Sequence, residues 1–213
     1  MSIGVVVGMA AEARIARRLG WQVAIGGGTM EGAEAAASSL LAQGCTSLIS
    51  CGLAGGLDPS LCPGDVIVPD AVLDGRERYS TEPELSRLLD GPTSHRLLSI
   101  NSIVANAADK RRLWQETGAA AIDMESGVVA RIATTNGLPF AVLRVICDPA
   151  ERSLPPAALA ALDSHGAIGI WRVLTSVATH PGQLPTLLCL AADAAAARHS
   201  LRARVKRIAR SRA

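Results

Sequence analysis

Short apolar runs alternate along the chain with longer segments in which apolar residues recur every three or four positions. The short runs are rich in β-branched residues and predict strands at 3–7, 22–26, 46–50, 65–69, 96–100 and 139–146. The longer segments predict helices at 11–19, 30–42, 107–116, 124–135 and 156–177. Alternation of this kind predicts an α/β fold, with a mostly parallel sheet covered by helices on both faces.

The C-terminal segment combines an apolar stripe with concentrated positive charge. Its apolar positions are Leu187, Leu190, Ala194, Ala197, Leu201, Val205 and Ile208. Residues 198–212 hold seven of the chain's 21 Lys and Arg residues and no acid. We therefore predict a main domain over 1–180 and a basic amphipathic helix over 181–213. Such a helix either packs on the domain or makes peripheral contact with an anionic membrane surface.

Composition narrows the class of protein. A chain of 213 residues that is 49% hydrophobic can bury one well-packed core. Outside the C-terminal segment, 14 basic residues face 19 acidic ones, and the chain has one Phe, one Tyr and three Trp. An acidic body with few aromatic side chains argues against nucleic-acid binding. Five cysteines without C-x-x-C spacing, and an N-terminus without a basic leader, are typical of a cytoplasmic protein.

Common cofactor and membrane signals are missing from the sequence. The histidines, at 95, 165, 180 and 199, have no spacing suited to a metal. No segment fits the dinucleotide fingerprint or the phosphate-binding P-loop. The longest uncharged stretch, 173–192, is interrupted by prolines and polar residues and does not predict a membrane span. We expect neither a cofactor nor a metal.

Three acids stand where ligands of an α/β sheet collect, at or near the ends of predicted strands. Glu12 follows the first strand, and Asp148 ends the last one, "FAVLRVICD". Glu125 lies in "AIDMESGVVA", where Asp123 could cap the following helix. Helix starts alone would explain Glu12 and Glu125, because acids are favourable there. Asp148 emerges from an apolar run, however, and desolvation would raise the pKa of its carboxyl.

A glycine-rich segment follows the third predicted strand. It reads "CGLAGGLDPSLCPGDVIV" and contains Gly52, Gly55 and Gly56. These glycines predict either a tight turn or a loop that approaches a ligand closely, because no Cβ stands in the way. We expect the three acids to converge around this loop.

In its motifs the chain resembles the nucleoside phosphorylases and nucleosidases of the purine/uridine phosphorylase superfamily. The motifs are "IGVVVGMAAEA", "GLAGGLDPSLCPGDVIV", "AIDMESGVVA" and "RVICD", in the family's order over about residues 1–176. The resemblance implies a three-layer α/β/α fold with a mixed, mostly parallel sheet, and a homo-oligomer, most simply a dimer. Length, the segment "RVICDPAERSLP" and the basic tail are most similar to the hopanoid-associated phosphorylase group.

The resemblance implies cleavage of the N-glycosidic bond of a 5′-modified adenosine, adenosylhopane in particular. Asp148 would be the acid at N7 of adenine, Glu125 the acceptor of the ribose hydroxyls, and Glu12 the base that activates water. The remaining substrate-binding residues that it implies are Met124 beside the ribose, Ala54 and Gly55 in the floor, and Ile103 and Val104 beside the base.

The nucleophile is open to two interpretations. Glu12 stands where nucleosidases of the family carry their water-activating carboxylate, which favours hydrolysis. Phosphate as co-substrate remains the alternative, with Arg76, Arg78 or Arg144 as its binding residue. Two further hypotheses are a nucleoside-binding protein without turnover and a different chemistry on the same scaffold.

The segment 76–93 is shorter than in many relatives. This shortening would open the 5′ side of the pocket.

Overall fold

A computed structural model describes residues 2–93, 95–155 and 184–212. The helix predicted over 156–177 lies outside these residues. Strands are β1 (Ile3–Val7), β2 (Gln22–Ile25), β3 (Ser47–Gly56), β4 (Val66–Ile67), β5 (Ala71–Asp74), β6 (Glu77–Ser80), β7 (Arg96–Ser99), β8 (Ala121–Asp123) and β9 (Phe140–Asp148). Helices are α1 (Ala10–Ala16), α2 (Met30–Ala42), α3 (Pro83–Leu88), α4 (Ala107–Thr117), α5 (Ser126–Thr135) and α6 (Leu184–Ser211).

The strands form one mixed sheet in the order β2-β1-β3-β8-β7-β5-β6, with β9 paired to β3 and β4. Two parallel groups, β2-β1-β3-β9 and β8-β7-β5, are joined where the end of β3 runs antiparallel to β8. The register of β3 against β9 shifts between Ala54 and Gly55, so that Gly55 pairs with Asp148. β3 therefore lies at the centre of the molecule and passes beside the end of β9.

Alternating side chains of the sheet feed two cores. Val6 packs on one face with α2 and α5, whereas Val5 and Val7 pack on the other with α1, α3 and α6. The all-apolar run of β1 suits a strand that is covered on both faces. This arrangement gives the three layers and the mostly parallel sheet that the sequence predicts.

Several predicted boundaries are wrong. Residues 52–56 continue β3 rather than forming a glycine loop, because they pair with both β8 and β9. The strands β5, β6 and β8 have no counterpart in the prediction, since they are short and β6 is a polar edge strand.

The C-terminal helix packs its apolar stripe onto the domain. Ala197, Leu201, Val205 and Ile208 are buried in the core that contains α1. Two of its arginines, Arg204 and Arg207, also pair with Asp90, and Arg212, which follows the helix, donates to the carbonyl of Leu19. Across the part of the chain that the structure describes, no helix has the length and apolarity needed to cross a membrane.

Candidate active site

Glu12 ties the start of α1 to the centre of the sheet. Its Oε2 accepts the backbone N–H of Met9 at 2.9 Å, which closes the first turn of its own helix. Its Oε1 accepts the backbone N–H of Leu53, on β3, at 3.0 Å. The second bond is long-range and is not required for a helix start, so the helix macrodipole alone does not account for this buried acid.

Glu125 and Glu12 face the same point, although they are far apart in the sequence. A methyl carbon at Gly8 would lie 3.0 Å from Glu125 Oε1 and 3.3 Å from Glu12 Oε2. Gly8, at the end of β1, therefore leaves room for two carboxylates that approach one another. Glu125 Oε1 is buried and has no hydrogen-bond partner among the described residues.

The helix that carries Glu125 begins later than the sequence predicts. α5 starts at Ser126, and Glu125 is its N-cap residue but makes no side-chain capping bond. Asp123 ends β8 and accepts the N–H of Ser126 at 3.2 Å, so it does serve the first turn of the helix. Asp123 thus has the local role expected of it, from a position in a strand, and it also binds an arginine.

A buried arginine on β9 gathers these acids. Arg144 Nη2 lies 2.5 Å from Asp123 Oδ2 and 3.4 Å from Glu125 Oε2. The same nitrogen donates to the hydroxyls of Ser50 at 2.7 Å and Ser126 at 3.2 Å. We call these five residues, Arg144, Asp123, Glu125, Ser50 and Ser126, the Arg144 centre. Sequence analysis named Arg144 only as a possible phosphate ligand; its place among apolar residues in "FAVLRVI" indicates a buried charge but not the acids that it binds.

Negative charge exceeds positive charge around the Arg144 centre. One guanidinium faces the carboxylates of Asp123 and Glu125 directly, and Glu12 lies near enough to act on the pKa of Arg144. Burial raises the pKa of Glu125 to about 7, although Arg144 opposes this change. Burial likewise raises the pKa of the neighbouring Cys51 thiol to about 12, so that thiol stays protonated. The arrangement suits a ligand that carries or develops positive charge.

The third predicted acid, Asp148, pairs with a buried lysine. Lys110 Nζ lies 2.5 Å from Asp148 Oδ2, and we call these two residues the Lys110–Asp148 pair. Burial raises the pKa of the Asp148 carboxyl, and the Lys110 ammonium works in the opposite direction. Asp148 Oδ1 is buried and has no partner among the described residues. A methyl carbon at Gly55 would lie 3.9 Å from Asp148 Oδ2, which places this pair beside β3.

α4 brings Lys110 to the sheet. Its N-cap residue Asn106 accepts the N–H of Ala108 at 2.8 Å, and Gly118, with φ of 62°, ends the helix. Lys110 lies in the first turn and is the one residue of α4 that is fully buried. Sequence analysis missed Lys110 because α4 is a polar helix in which a lysine is unremarkable.

The predicted substrate-binding residues fall into two groups. Ala54 and Gly55 lie on β3 and Met124 lies between β8 and α5, close in the chain to Glu125. Ile103 and Val104 lie in the β7–α4 connection and line a cavity of about 440 Å³. The rest of its lining comes from Ile100, Ser102, Ala105, Asn106, Asp109, Arg112 and Leu113. The lining is mixed, and Ile103 is 41% exposed, so an apolar face is available to a planar ligand.

Arg76 and Arg78, the other candidate phosphate ligands, lie exposed on the β5–β6 hairpin at the edge of the sheet. Arg144 lies inside, but its guanidinium is bound to two carboxylates. Within residues 2–93, 95–155 and 184–212, no three His, Cys, Asp or Glu side chains are grouped to hold a metal ion. His165 and His180 lie outside the described residues.

Comparison with solved structures shows the same fold in nucleosidases. A 5′-methylthioadenosine/S-adenosylhomocysteine nucleosidase from Campylobacter jejuni aligns with a TM-score of 0.66 at 17% identity, over 72% of this chain and 88% of that one. Native futalosine hydrolase from Helicobacter pylori aligns with a TM-score of 0.61 at 20% identity, over 70% of this chain and 88% of that one. These likenesses confirm the fold class.

Sequence comparison identifies the family. A 5′-methylthioadenosine/S-adenosylhomocysteine nucleosidase from Mycobacterium bovis is 28% identical over 160 residues, covering 52% of this chain and 63% of the relative. A Treponema pallidum protein of the same name is 36% identical over 66 residues, covering 31% and 23%. The chain thus spans less than two thirds of these curated relatives. The profile of the phosphorylase superfamily matches residues 20–165, and the chain belongs to that superfamily.

Proposed function

We propose that this protein is a nucleosidase that cleaves the N-glycosidic bond of a purine nucleoside with water. The observation that carries the proposal is the approach of Glu12 and Glu125 to one point beside Gly8. Glycosidic cleavage passes through a sugar cation, and a pair of carboxylates with one shared guanidinium stabilises developing positive charge. Membership of the phosphorylase superfamily supports this chemistry.

Each acid has one role in the proposed reaction. Asp148 protonates N7 of the purine as the C1′–N9 bond breaks, and the bonding electron pair leaves with the base. Glu125 accepts hydrogen bonds from the ribose hydroxyls through Oε1, which is otherwise unpartnered among the described residues. Glu12 takes a proton from the water that attacks C1′. Both Glu12 and Glu125 are held by buried contacts before substrate arrives, which preorganises the site.

Charge favours water over phosphate as the nucleophile. Phosphate would meet the Glu12 and Glu125 carboxylates, which would repel it. Arg144 could offset only part of this repulsion, because its Nη2 is already shared among two carboxylates and two hydroxyls. Arg76 and Arg78 lie exposed on the edge hairpin. The proposed products are therefore a free base and a free sugar.

We propose a 5′-modified adenosine as the substrate. Three of the similar proteins are named for 5′-methylthioadenosine and S-adenosylhomocysteine, which are both adenosines modified at this position. Similarity to the hopanoid-associated phosphorylase group makes adenosylhopane the specific candidate. The cavity at Ile103 and Val104 offers an apolar face to the adenine ring. The segment 76–93, which is shorter than in many relatives, would open the 5′ side of the pocket to a bulky group.

The decisive experiment measures adenine release from adenosine, methylthioadenosine and an adenosine with a long apolar 5′ chain. Each reaction is run with and without phosphate, and the sugar product is identified by mass. We expect free sugar without phosphate, and loss of activity in Glu12→Gln but not in Glu31→Gln, which alters an exposed acid on α2. A sugar 1-phosphate formed only with phosphate would overturn hydrolysis. Binding of the nucleosides without any cleavage would favour a binding protein.

We also propose that the protein forms a homodimer in the cytoplasm and that α6 makes peripheral contact with anionic membranes. Because Ala197, Leu201, Val205 and Ile208 of the apolar stripe are buried, this contact would be mainly electrostatic and would use exposed cations such as Arg202, Lys206 and Arg210. The protein should sediment with vesicles that contain anionic lipid, and this binding should be lost in high salt. Neutral vesicles are the control, and scattering at several concentrations measures the oligomeric state.

A further inference from the structure

The Lys110 ammonium is fully committed inside the protein. It donates to Asp148 Oδ2 at 2.5 Å and to the carbonyl oxygens of Pro149 and Arg152 at 3.0 Å each. An ammonium has three protons, so each of them has one acceptor. Two of the acceptors are carbonyls of the segment that follows β9, so Lys110 also holds this segment close to Asp148.

The environment requires this lysine to be paired. Lys110 has 0% exposure, and burying an ammonium is costly unless a counter-charge and hydrogen bonds compensate. The chain has only two lysines, Lys110 and Lys206, against 19 arginines. A compact ammonium can give one strong bond to one carboxylate oxygen, whereas the fork of an arginine tends to occupy both. At Asp148 this leaves Oδ1 buried and unpartnered among the described residues.

We propose that Lys110 is the positioning residue of the leaving-group acid, holding Asp148 with Oδ1 toward the base and stabilising the carboxylate that forms there. The inference rests on the proposed nucleosidase function. In the step, Asp148 gives the proton on Oδ1 to N7 of the purine while the C1′–N9 bond breaks. Asp148 becomes a carboxylate beside the Lys110 ammonium, which keeps its three protons throughout. The proton returns to Oδ1 from water after the base has left.

The other charged groups near Asp148 are few. Arg152, on the segment after β9, acts on the carboxyl in the same direction as Lys110 and is itself paired with Asp193 on α6. Cys147 precedes Asp148 on β9, and burial raises the pKa of its thiol to about 12, so it stays neutral. β3 presents Gly55, which has no charge. Lys110 is therefore the main cation that opposes the effect of burial on Asp148.

A purely structural lysine and a positioning lysine predict different pH profiles. Asp148 acts in its protonated form, so the rate falls when the pH exceeds the pKa of its carboxyl. Without the ammonium this pKa rises, because burial is no longer opposed. The alkaline limb of the profile then moves to higher pH, while the plateau falls because the product carboxylate is left unpaired. A loss that reflects folding alone lowers the plateau and leaves the limb where it was.

The test compares Lys110→Met and Lys110→Gln with Lys110→Arg and with Arg111→Met, which removes an exposed cation from the same helix. The readouts are kcat/KM against pH and the ¹³C signal of the Asp148 carboxyl, assigned with Asp148→Asn. We expect both neutral variants to move the alkaline limb and the carboxyl pKa upward by at least about one pH unit. Lys110→Arg keeps the charge and should restore most of the limb's position, but its plateau should stay low because the fork can occupy Oδ1, and Arg111→Met should change neither. If Lys110→Met does not fold, Lys110→Gln carries the test.

Failure of the inference is separable from failure of the proposed function. An Asp148 signal that titrates at the same pH in wild type and in both neutral variants would overturn the role of Lys110, whatever the activity. A wild-type protein that releases no base would defeat the nucleosidase proposal, and with it the role of Lys110 in the reaction step. If the neutral variants have a lower kcat/KM but the same alkaline pH limit as the wild type, Lys110 has a structural role only.

Discussion

The Arg144 centre and the Lys110–Asp148 pair are both buried cation–carboxylate clusters, but they are built differently. In the Arg144 centre one guanidinium serves two carboxylates and two hydroxyls. In the Lys110–Asp148 pair one ammonium serves one carboxylate oxygen and leaves the other free. The first cluster keeps an excess of carboxylates over cations, whereas the second has one cation for one carboxyl and becomes charge-balanced when Asp148 has given up its proton.

This difference matches two demands of glycosidic cleavage. In the proposed reaction the sugar becomes cationic and needs fixed negative charge nearby, which the Arg144 centre would supply. The base leaves with an electron pair and needs a proton from an acid that can become charged, which the Lys110–Asp148 pair would supply. β3 runs past both clusters, with Gly52 beside the first and Gly55 beside the second. The two clusters should therefore respond differently to substitution.

The largest expected effect follows removal of the Arg144 guanidinium. Arg144→Met would leave Asp123 and Glu125 buried without their cation, and such a loss typically costs about 3–5 kcal/mol. We expect the free energy of unfolding in urea to fall by that amount, with activity lost as well. Arg131→Met is the matched control, because Arg131 forms an exposed pair with Glu34 that is worth less than about 1 kcal/mol. Equal stabilities for the two variants would show that Arg144 does not hold the centre together.

Asp148→Asn should mainly affect catalysis. Asp148→Asn removes the counter-charge of Lys110 but keeps its two carbonyl acceptors and offers an amide oxygen in place of Oδ2, so stability should fall by less than in Arg144→Met and the protein should still fold. Loss of a general acid lowers kcat by about 10²–10⁴-fold for a purine nucleoside. A nitrophenyl riboside, whose nitrophenolate leaving group needs no proton, should be cleaved by Asp148→Asn at nearly the wild-type rate. If both substrates lose activity equally, Asp148 does not act as the leaving-group acid.

The sequence predicts these clusters to different extents. Alternating apolar runs predict the layers, and predicted strand ends give the positions of Glu12 and Asp148, because both follow from local patterns. Glu125 follows a strand that the sequence does not predict, and only its motif "AIDMESGVVA" singles it out. The partners of these acids could not be predicted in this way. Arg144 reaches Asp123 across 21 positions and Lys110 reaches Asp148 across 38, so only the folded sheet brings them together. Likewise, Gly52 to Gly56 have a loop-like composition, and pairing on both sides overrides it.

Glu125 should make the stability of the protein depend on pH. Burial raises the pKa of Glu125 from 4.5 to about 7, so the folded state binds a proton more tightly than the unfolded state. This contribution is fully present below pH 4.5 and is lost as the pH rises through 7, by up to about 3 kcal/mol. Glu125→Gln should flatten the dependence between these values in urea titrations, whereas Glu31→Gln should not. An unchanged slope in Glu125→Gln would assign the dependence to another group.

The smallest effects compare alanine at the two glycines of β3. At Gly52 the added carbon would lie 2.5 Å from Arg144 Nη1 and 2.9 Å from Glu12 Oε1, so both groups must move. Overpacking of this kind costs about 1–3 kcal/mol, and it should also lower kcat by displacing Glu12. At Gly55 the nearest atoms are Ile122 Cγ2 at 3.2 Å and Asp148 Oδ2 at 3.9 Å. The Ile122 methyl group can shift by a few tenths of an ångström, and alanine lowers the conformational entropy of the unfolded chain. The free energy of unfolding of Gly55→Ala in urea should therefore be close to that of the wild type. If Gly55→Ala proves the more damaging variant, β3 beside Asp148 is packed more tightly than β3 beside the Arg144 centre. The Lys110–Asp148 pair, and not the Arg144 centre, would then be the cluster that tolerates an added methyl group less well.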